Sequence, residues 1–350
     1  MLNRLRNGYI RKAAALSRAY TITRMFKKGA AILFYHGVEN KIINPVVQET
    51  HLQMDLFEQQ MLFLKKNHEV ISIDYLNECI NEGYKISPSQ VLLTFDDGYK
   101  SNLYTVAPFL KALNMPFAVF ISTRYIDCNE DLRLPYYYLQ AAIYYTKQKI
   151  VDISSIKMKF DVMTEQMRLT VIRRLLHIIK TVPSKLVGEI VDDLIRLLPE
   201  DRWLELNALF SSDELMNWDE VKKLHDSGVV IGAHCHDHAI LHSNQSDAEI
   251  EFQLQNSKYL IEKHLGTCKY FSYPNGKVND ISHSAFMGVK KNKYLLGFTT
   301  MPGEVITGKF DPFLLPRIFH QKELDSFKFA LNASFFKNSD YYKQYSGILY

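Results

Sequence analysis

The feature that most restricts the fold is an apolar run, Val91-Leu92-Leu93, that passes through Thr94 and Phe95 and stops at Asp96-Asp97-Gly98. A β-branched and leucine-rich run of this length reads as a buried strand. In parallel α/β folds the C-terminal ends of strands carry the chemistry. Side chains alternate along a strand, but at its frayed end two neighbours can both reach a site above the sheet. Gly98 lets the chain turn sharply there. Two adjacent carboxylates repel each other when both are ionised. A bound cation separates their roles: one Asp ligates it and the other remains a base. An ordinary strand followed by an Asp-Gly turn has the same local sequence, so this stretch alone does not decide the matter.

A second stretch supplies the missing ligands. The short apolar strand Val229–Ala233 runs directly into His234-Cys235-His236-Asp237-His238. If this segment curls into a helical turn, His234 and His238 share one face and can grip one ion. Two neutral imidazoles and a carboxylate suit Zn²⁺, Co²⁺, Ni²⁺ or Fe²⁺ and leave positions open for water. Cys235, between the histidines, reads as a small filler whose side chain points away.

Thr94–Gly98 and His234–His238 resemble the first and second motifs of the polysaccharide deacetylase family, the NodB-homology or carbohydrate esterase 4 type. Phe271-Ser272-Tyr273-Pro274-Asn275-Gly276 is similar to its third motif, and Leu315-Pro316-Arg317-Ile318 to a late strand. Phe34-Tyr35-His36-Gly37-Val38 resembles the first strand of one branch. The matches follow the family order from about residue 30 to about 320. The resemblance implies a distorted (β/α) barrel of seven or eight units.

The rest of the chain agrees with that architecture. Strands are expected at Ala30–His36, Val70–Ile73, Val91–Phe95, Phe117–Ile121, Val229–Ala233, Tyr270–Tyr273, Tyr294–Thr300 and Phe313–Ile318. Helical patterns lie between them: 53–67, Tyr75–Glu82 capped by Asp74, 101–114, a helix from Trp218 to Gly228, Ser246–Leu265 stopped by Gly266, and 280–292. The alternation breaks from about 127 to 217, where Tyr136–Tyr145, Gln166–Ile179 and Lys185–Leu198 repeat with helical period. This reads as a helical insertion in a loop after a strand, a place where insertions shape access to a site. An insert of this kind resembles the branch associated with surface-glycan assembly, which implies an extended or lipid-linked substrate. Residues 30–350 form the barrel with its insertion.

Residues 1–29 form a separate basic arm. Eight Arg or Lys residues fall within positions 1–28, with no Asp or Glu, interleaved with apolar residues. The arm suits attachment to an anionic membrane surface or a membrane-bound partner, and equally a solubilising helix packed on the barrel. It lacks the continuous apolar core of a signal peptide, and no run of 18 or more apolar residues occurs anywhere. The net charge of +4 is too small to argue for nucleic acid. The four cysteines, Cys79, Cys128, Cys235 and Cys268, show no CxxC spacing and suit a reducing compartment. The expected location is the cytoplasm, peripherally at the inner face of the membrane.

The resemblance implies removal of an N-acetyl group from a sugar of a glycan or glycolipid, with release of acetate. It assigns Asp97, His234 and His238 as ligands of one divalent ion, Zn²⁺ first, with Co²⁺ or Ni²⁺ as alternatives. It assigns Asp96 as the general base. The leaving amine needs a proton donor, and His36 is the candidate at the end of the first strand. Ile318-Phe319-His320 has the spacing of the family's late histidine motif but follows a strand ending at Arg317. Tyr273, Pro274 and Arg317 are the candidate substrate-binding residues, Tyr273 and Pro274 as a groove wall with a backbone N–H for the oxyanion. Many members carry an Arg where this chain has Ser272, and Arg317 can replace it in space. His51, His68, His177, His225, His242, His264 and His283 receive no role and are expected on surfaces or helices. Two other readings share the barrel: hydrolysis of a different non-peptide amide, and a non-catalytic glycan-binding protein.

Overall fold

The computed structural model describes residues 27–126, 132–333 and 348. The chain enters through β1 (Ala31–Tyr35), makes a side pair from β2 (Val38–Glu39) and β3 (Leu52–Gln53), and continues through α1 (Met54–Asn67), β4 (Glu69–Ile71) and α2 (Ile73–Glu82) into β5 (Gln90–Phe95). A π-helical turn, Asn102–Val106, leads to α3 (Ala107–Ala112) and β6 (Ala118–Ile121). Next come α4 (Pro135–Tyr145), a hairpin of β7 (Ile150–Ile153) and β8 (Met158–Asp161), then α5 (Glu165–Ile179), α6 (Ser184–Ile195) and α7 (Glu200–Leu209). The barrel resumes with α8 (Trp218–Asp226), β9 (Val230–Ala233), α9 (Asp247–Leu265), β10 (Tyr270–Ser272), α10 (His283–Lys291), β11 (Leu296–Phe298), β12 (Ile318–Phe319) and α11 (Leu324–Ala333).

The main sheet has eight strands in the order β11-β10-β9-β6-β5-β1-β12, with β4 also against β5. Every pairing in it is parallel. A further parallel bridge, Phe298 to Leu315, joins β11 to the residues before β12, so the sheet curls round on itself. This is the distorted (β/α) barrel that the motifs imply. The last strand is shorter and later than the expected Phe313–Ile318, because Leu315 makes an isolated bridge to Phe298 rather than joining a continuous ladder.

All six residues of β5 are buried, as both faces of a central parallel strand must be. Its alternate residues serve two cores. Val91, Leu93 and Phe95 join the core beneath the helices with Phe57, Met61 and Leu64 of α1. Leu92 joins Ile32, Phe120, Tyr270 and Phe298 in the barrel interior. That parity sets the site: Thr94 and Asp96 continue the interior series upward.

Local chemistry explains most element ends. α8 starts from a capping box, in which Asn217 accepts from Glu220 N–H and Glu220 accepts from Asn217 N–H, each at 2.9 Å. Gly266 ends α9 with φ of +81°, a conformation that suits glycine. The expected cap Asp74 is corrected to Ser72, whose Oγ accepts from Tyr75 N–H, and the helix starts earlier, at Ile73. Asp74 instead accepts from the Tyr270 hydroxyl at 2.6 Å.

Among the described residues between β6 and α8 lie four α-helices and the β7–β8 hairpin. They share a core of their own, including Leu139, Val151, Phe160, Leu175, Leu194 and Trp203. The hairpin departs from the mostly helical expectation. Its alternating pattern spans four residues per strand, too few to stand out from the flanking helices. The segment then returns to the barrel at a specific place. Lys100 N–H donates to Glu214 O at 2.8 Å and Met216 N–H to Gly98 O at 2.9 Å. Of the basic arm, only Lys27, Lys28 and Gly29 fall within the described residues; the Lys28 and Gly29 N–H groups donate to the Glu304 carboxylate. Among the described residues no helix is long and apolar enough to cross a membrane.

Candidate active site

Two strand ends, β5 and β9, bring the candidate ligands together. Asp97 follows Asp96 and would by alternation face the helices. Its φ of +76° turns it back toward the cleft, and Gly98 follows at +88°. On the β9 side, residues 234–238 form no helical turn, so the expected shared helix face is corrected. Positive φ values at Cys235 (+63°) and His238 (+54°) fold the loop instead. The two imidazole centroids then lie 4.8 Å apart. Non-glycine residues rarely hold this conformation, and its concentration at a cleft is typical of functional sites.

His238 Nε2 lies 3.3 Å and His234 Nε2 3.6 Å from Asp97 Oδ1. All three side chains are buried, and the three donor atoms lie within 4.8 Å of one another. His234 Nδ1 donates to Ser272 O at 2.8 Å, which fixes its proton there and leaves Nε2 as a lone pair facing Asp97. Burial pushes the His234 pKa down to about 4, so the ring is neutral at physiological pH. Burial pushes the Asp97 carboxyl up, but His238, His36 and His234 together hold it far below the ordinary range. The set therefore fits a divalent ion: an ionised carboxylate, the neutral His234 ring with the His238 ring beside it, and a buried Asp97 Oδ1 without a hydrogen-bond partner.

Asp96 is clamped from behind. Arg317 Nη1 donates to its Oδ1 at 2.8 Å and Nη2 to its Oδ2 at 2.7 Å. The guanidinium also donates to Ser272 Oγ at 2.8 Å, Thr299 O at 2.9 Å and Thr94 Oγ1 at 3.2 Å. Burial raises the Asp96 carboxyl, and Arg317, His234 and His36 together more than offset this, with a net lowering. Arg317 is 0% exposed and does not line the cleft, so its expected role in substrate binding is corrected: its donors are directed at Asp96 and its neighbours. It supplies the cation beside Asp96 that Ser272 cannot.

His36 directly follows β1 at the cleft wall, with Nε2 4.0 Å from Asp97 Oδ2 and Nδ1 without a partner. Burial lowers its pKa, against the pull of Asp97 and Asp96. His320 lies away from the cleft: it stacks on Tyr35 and bonds Thr50 O at 3.0 Å. Tyr273 and Pro274 are also corrected as cleft residues. Tyr273 is 1% exposed and packs against Phe271, and neither residue lines the cleft. The Tyr273 N–H donates to Phe298 O at 3.0 Å and Pro274 has no N–H, so neither offers an oxyanion donor. The next residues do reach the cavity: Asn275 and Lys277 line it.

The cleft has a volume of about 390 Å³. Its far wall comes from the segment inserted after β6, including Tyr136, Tyr137, Gln140 and Lys180. Tyr136 sets its ring edge-on to His238, centroids 5.3 Å apart. His51 and Tyr99 complete the wall. The sequence reading missed both. His51, expected at a surface, is 3% exposed, and His242 is also buried. Trp218 packs in the core, its ring stacked on His264 with centroids 4.0 Å apart.

A parallel barrel whose strand ends gather a carboxylate, two imidazoles and a clamped second carboxylate defines a hydrolase that activates water against an acyl carbon. The family model for polysaccharide deacetylase matches residues 84–159 and 188–290, just over half of the sequence, and the chain belongs to that family. It is a hydrolase of carbon–nitrogen bonds that removes acetyl groups from glycans. The matched stretches contain Asp96, Asp97, His234 and His238. No curated protein sequence matches the chain. Solved structures share the fold at low identity. IcaB from Ammonifex degensii has a TM-score of 0.57 at 15% identity, covering 87% of this chain and 97% of that one. The Streptococcus pyogenes deacetylase PplD in complex with acetate has a TM-score of 0.52 at 16% identity, covering 84% and 93%. BC0361, a polysaccharide deacetylase from Bacillus cereus, has a TM-score of 0.52 at 16% identity, covering 87% and 70%.

Proposed function

We propose that this chain is a divalent-metal-dependent N-deacetylase acting on an N-acetylated sugar of a surface glycan or its lipid-linked precursor. The observation that carries this reading is the Asp97–His234–His238 cluster beside the Arg317-clamped Asp96. Asp97, His234 and His238 would hold the ion, with Zn²⁺ the first choice for this donor set. When bound, such an ion polarises an acyl oxygen and lowers the pKa of water toward neutrality.

The residues then divide the proton work. Asp96, ionised and fixed by two bonds from Arg317, takes a proton from the attacking water. The water oxygen bonds to the acetyl carbon and the carbon–nitrogen bond breaks. The amine leaves with a proton from a donor at the cleft wall, for which His36 stands nearest Asp97 from β1. The products are acetate and the sugar amine. Asn275 and Lys277 on one wall and Tyr136 and Lys180 on the other supply polar and aromatic contacts for a sugar chain. The reading places the reaction in the cytoplasm, at the inner membrane face, and the free, buried Cys79, Cys235 and Cys268 support a reducing compartment.

The test pairs elemental metal content with acetate release from N-acetylhexosamine oligomers, for wild type, Asp97→Ala, His238→Ala and Asp96→Asn. Asp97→Ala and His238→Ala are expected to lose metal and activity together. Asp96→Asn is expected to keep metal and lose activity. A metal-loaded wild type that releases no acetate from any N-acetyl sugar would redirect the assignment to another amide.

A further inference from the structure

A second cluster of buried ligand-type side chains shares no residue with the Asp97 triad. Glu39 of β2, His51 just before β3 and Asp213 from the turn that precedes α8 place one donor atom each within 4.8 Å of the others. His51 Nδ1 lies 3.5 Å from Asp213 Oδ1 and 3.7 Å from Glu39 Oε1. The three side chains are 3 to 7% exposed. His51 Nδ1 and Glu39 Oε1 have no hydrogen-bond partner.

We propose that Glu39, His51 and Asp213 form a second divalent-cation site, separate from the Asp97 triad and of structural rather than catalytic use. The distances carry the argument. An imidazolium between two carboxylates draws in to charge-assisted bonds of about 2.7–2.9 Å. These separations are longer. They lie close to the edges of a coordination shell: bonds of about 2.0–2.2 Å at tetrahedral angles set donor atoms roughly 3.3–3.6 Å apart, and the 3.5 Å separation falls inside that range with the 3.7 Å one just beyond it. The Asp97 triad shows comparable spacing, 3.3 and 3.6 Å. One imidazole and two carboxylates suit Zn²⁺ or Mn²⁺, with water at the remaining positions.

The surroundings orient the donors as ligand supports do. Gln48 Nε2 donates to Asp213 Oδ1 at 2.6 Å, while Gln48 Oε1 is held by the Ile43 and Asn44 N–H groups. The His51 ring sits directly over Gly37, where a Cβ would come within 2.6 Å of Nδ1 and Cε1, and edge-on to Tyr99 at 4.6 Å. Arg133 is directed at Phe210 O and the Glu214 carboxylate. An ion here would tie the end of the inserted segment to the loop between β2 and β3, on the wall of the cleft.

The full-length protein, stripped with chelator, is titrated with Zn²⁺ by calorimetry, and the bound ions are counted by native mass spectrometry. The wild type is expected to bind two ions. Asp97→Ala is expected to keep one, as are Glu39→Gln and Asp213→Asn; Asp97→Ala combined with Glu39→Gln is expected to bind none. Zn²⁺ is also expected to raise the thermal midpoint of Asp97→Ala but not of the double variant. Glu39→Gln keeps the side-chain shape, and circular dichroism checks its fold. A wild type that binds one ion, lost in Asp97→Ala and kept in Glu39→Gln, overturns the proposal and leaves the first site standing. The converse, an ion lost in Glu39→Gln with Asp97→Ala equal to wild type, supports the second site while removing the ligand set proposed for catalysis.

Discussion

Arg317 and Asp96 meet as a two-pronged pair, with bonds of 2.8 and 2.7 Å, on the side of the carboxylate that faces away from the cleft. The residues are 221 positions apart in sequence. The guanidinium lies over Phe34, 4.5 Å from its ring centroid, and is fully buried. The pair thus fixes where the Asp96 carboxylate points and favours its ionised form.

Arg317→Ala should lower kcat by about 100-fold or more, since it removes both the positioning and the charge support of the base. It should also destabilise the fold by about 3–5 kcal/mol, because Asp96 keeps a buried charge without its partner. Without Arg317, burial raises the Asp96 pKa, so the acid limb of the kcat/KM profile should move to higher pH. Arg317→Lys should recover only part of the loss, as an ammonium cannot fork across both oxygens. An unmoved acid limb in Arg317→Ala would remove Arg317 from the role argued here.

Gly297→Ala should destabilise the protein by about 1–3 kcal/mol in urea unfolding. A Cβ there would lie 2.4 Å from Phe313 O, a backbone atom. The backbone has little room to retreat, because Gly297 N–H donates to Pro312 O at 2.9 Å and Leu315 N–H to Gly297 O at 2.8 Å. A variant as stable as wild type would show that the β11 closure is looser than this geometry.

His320 should make stability fall with acidification. Burial holds its pKa down to about 3 in the folded state, against about 6.5 when unfolded. Between those values the unfolded chain binds the extra proton, so stability is full above about pH 6.5 and is lost as pH falls toward 3, by about 1.4 kcal/mol per unit. His320→Asn should be less stable than wild type at pH 7, since the ring's stack on Tyr35 is lost. That gap should narrow by pH 5. Urea melts at the two pH values measure it, and a constant gap would count against the argument.

Tyr136→Ala should raise KM for a glycan substrate about tenfold with a smaller change in kcat, the loss of one aromatic contact worth roughly 1.4 kcal/mol. Tyr136→Phe should behave like wild type. Steady-state kinetics on N-acetylated oligomers would separate the two, and a fall in kcat alone would mean that the ring acts on His238 rather than on the substrate.

Much of the barrel was legible because strand ends announce themselves. Val91–Phe95 and Val229–Ala233 are short apolar runs that stop at polar clusters, and the structure sets both clusters at one end of the sheet. What the sequence does not carry is direction. Arg317 reads both as a substrate residue and as a spatial replacement for the arginine absent at Ser272, and the curl that brings β12 beside β1 turns it inward toward Asp96. Asp97 and His238 depend on φ values of +76° and +54°, which no local pattern of non-glycine residues signals. Tyr273 and Pro274 look like cleft residues because their motif is, yet the side chains that arrive there belong to Asn275 and Lys277. His51 carries no local sign of burial, since Tyr99 and Asp213, which surround it, come from distant segments.

The return of the inserted segment onto the barrel has a consequence for protein engineering. Leu215 pairs with Tyr99, and Met216 N–H reaches Gly98 O at 2.9 Å. These are the residues immediately after Asp97. A chimera that exchanges this segment with a relative's therefore has a safe cut before Asp213 and an unsafe one beyond it. Cutting beyond it would replace the strap that holds the Asp97 turn in its left-handed bend. The segment is exchangeable as a wall, but its last few residues belong to the barrel.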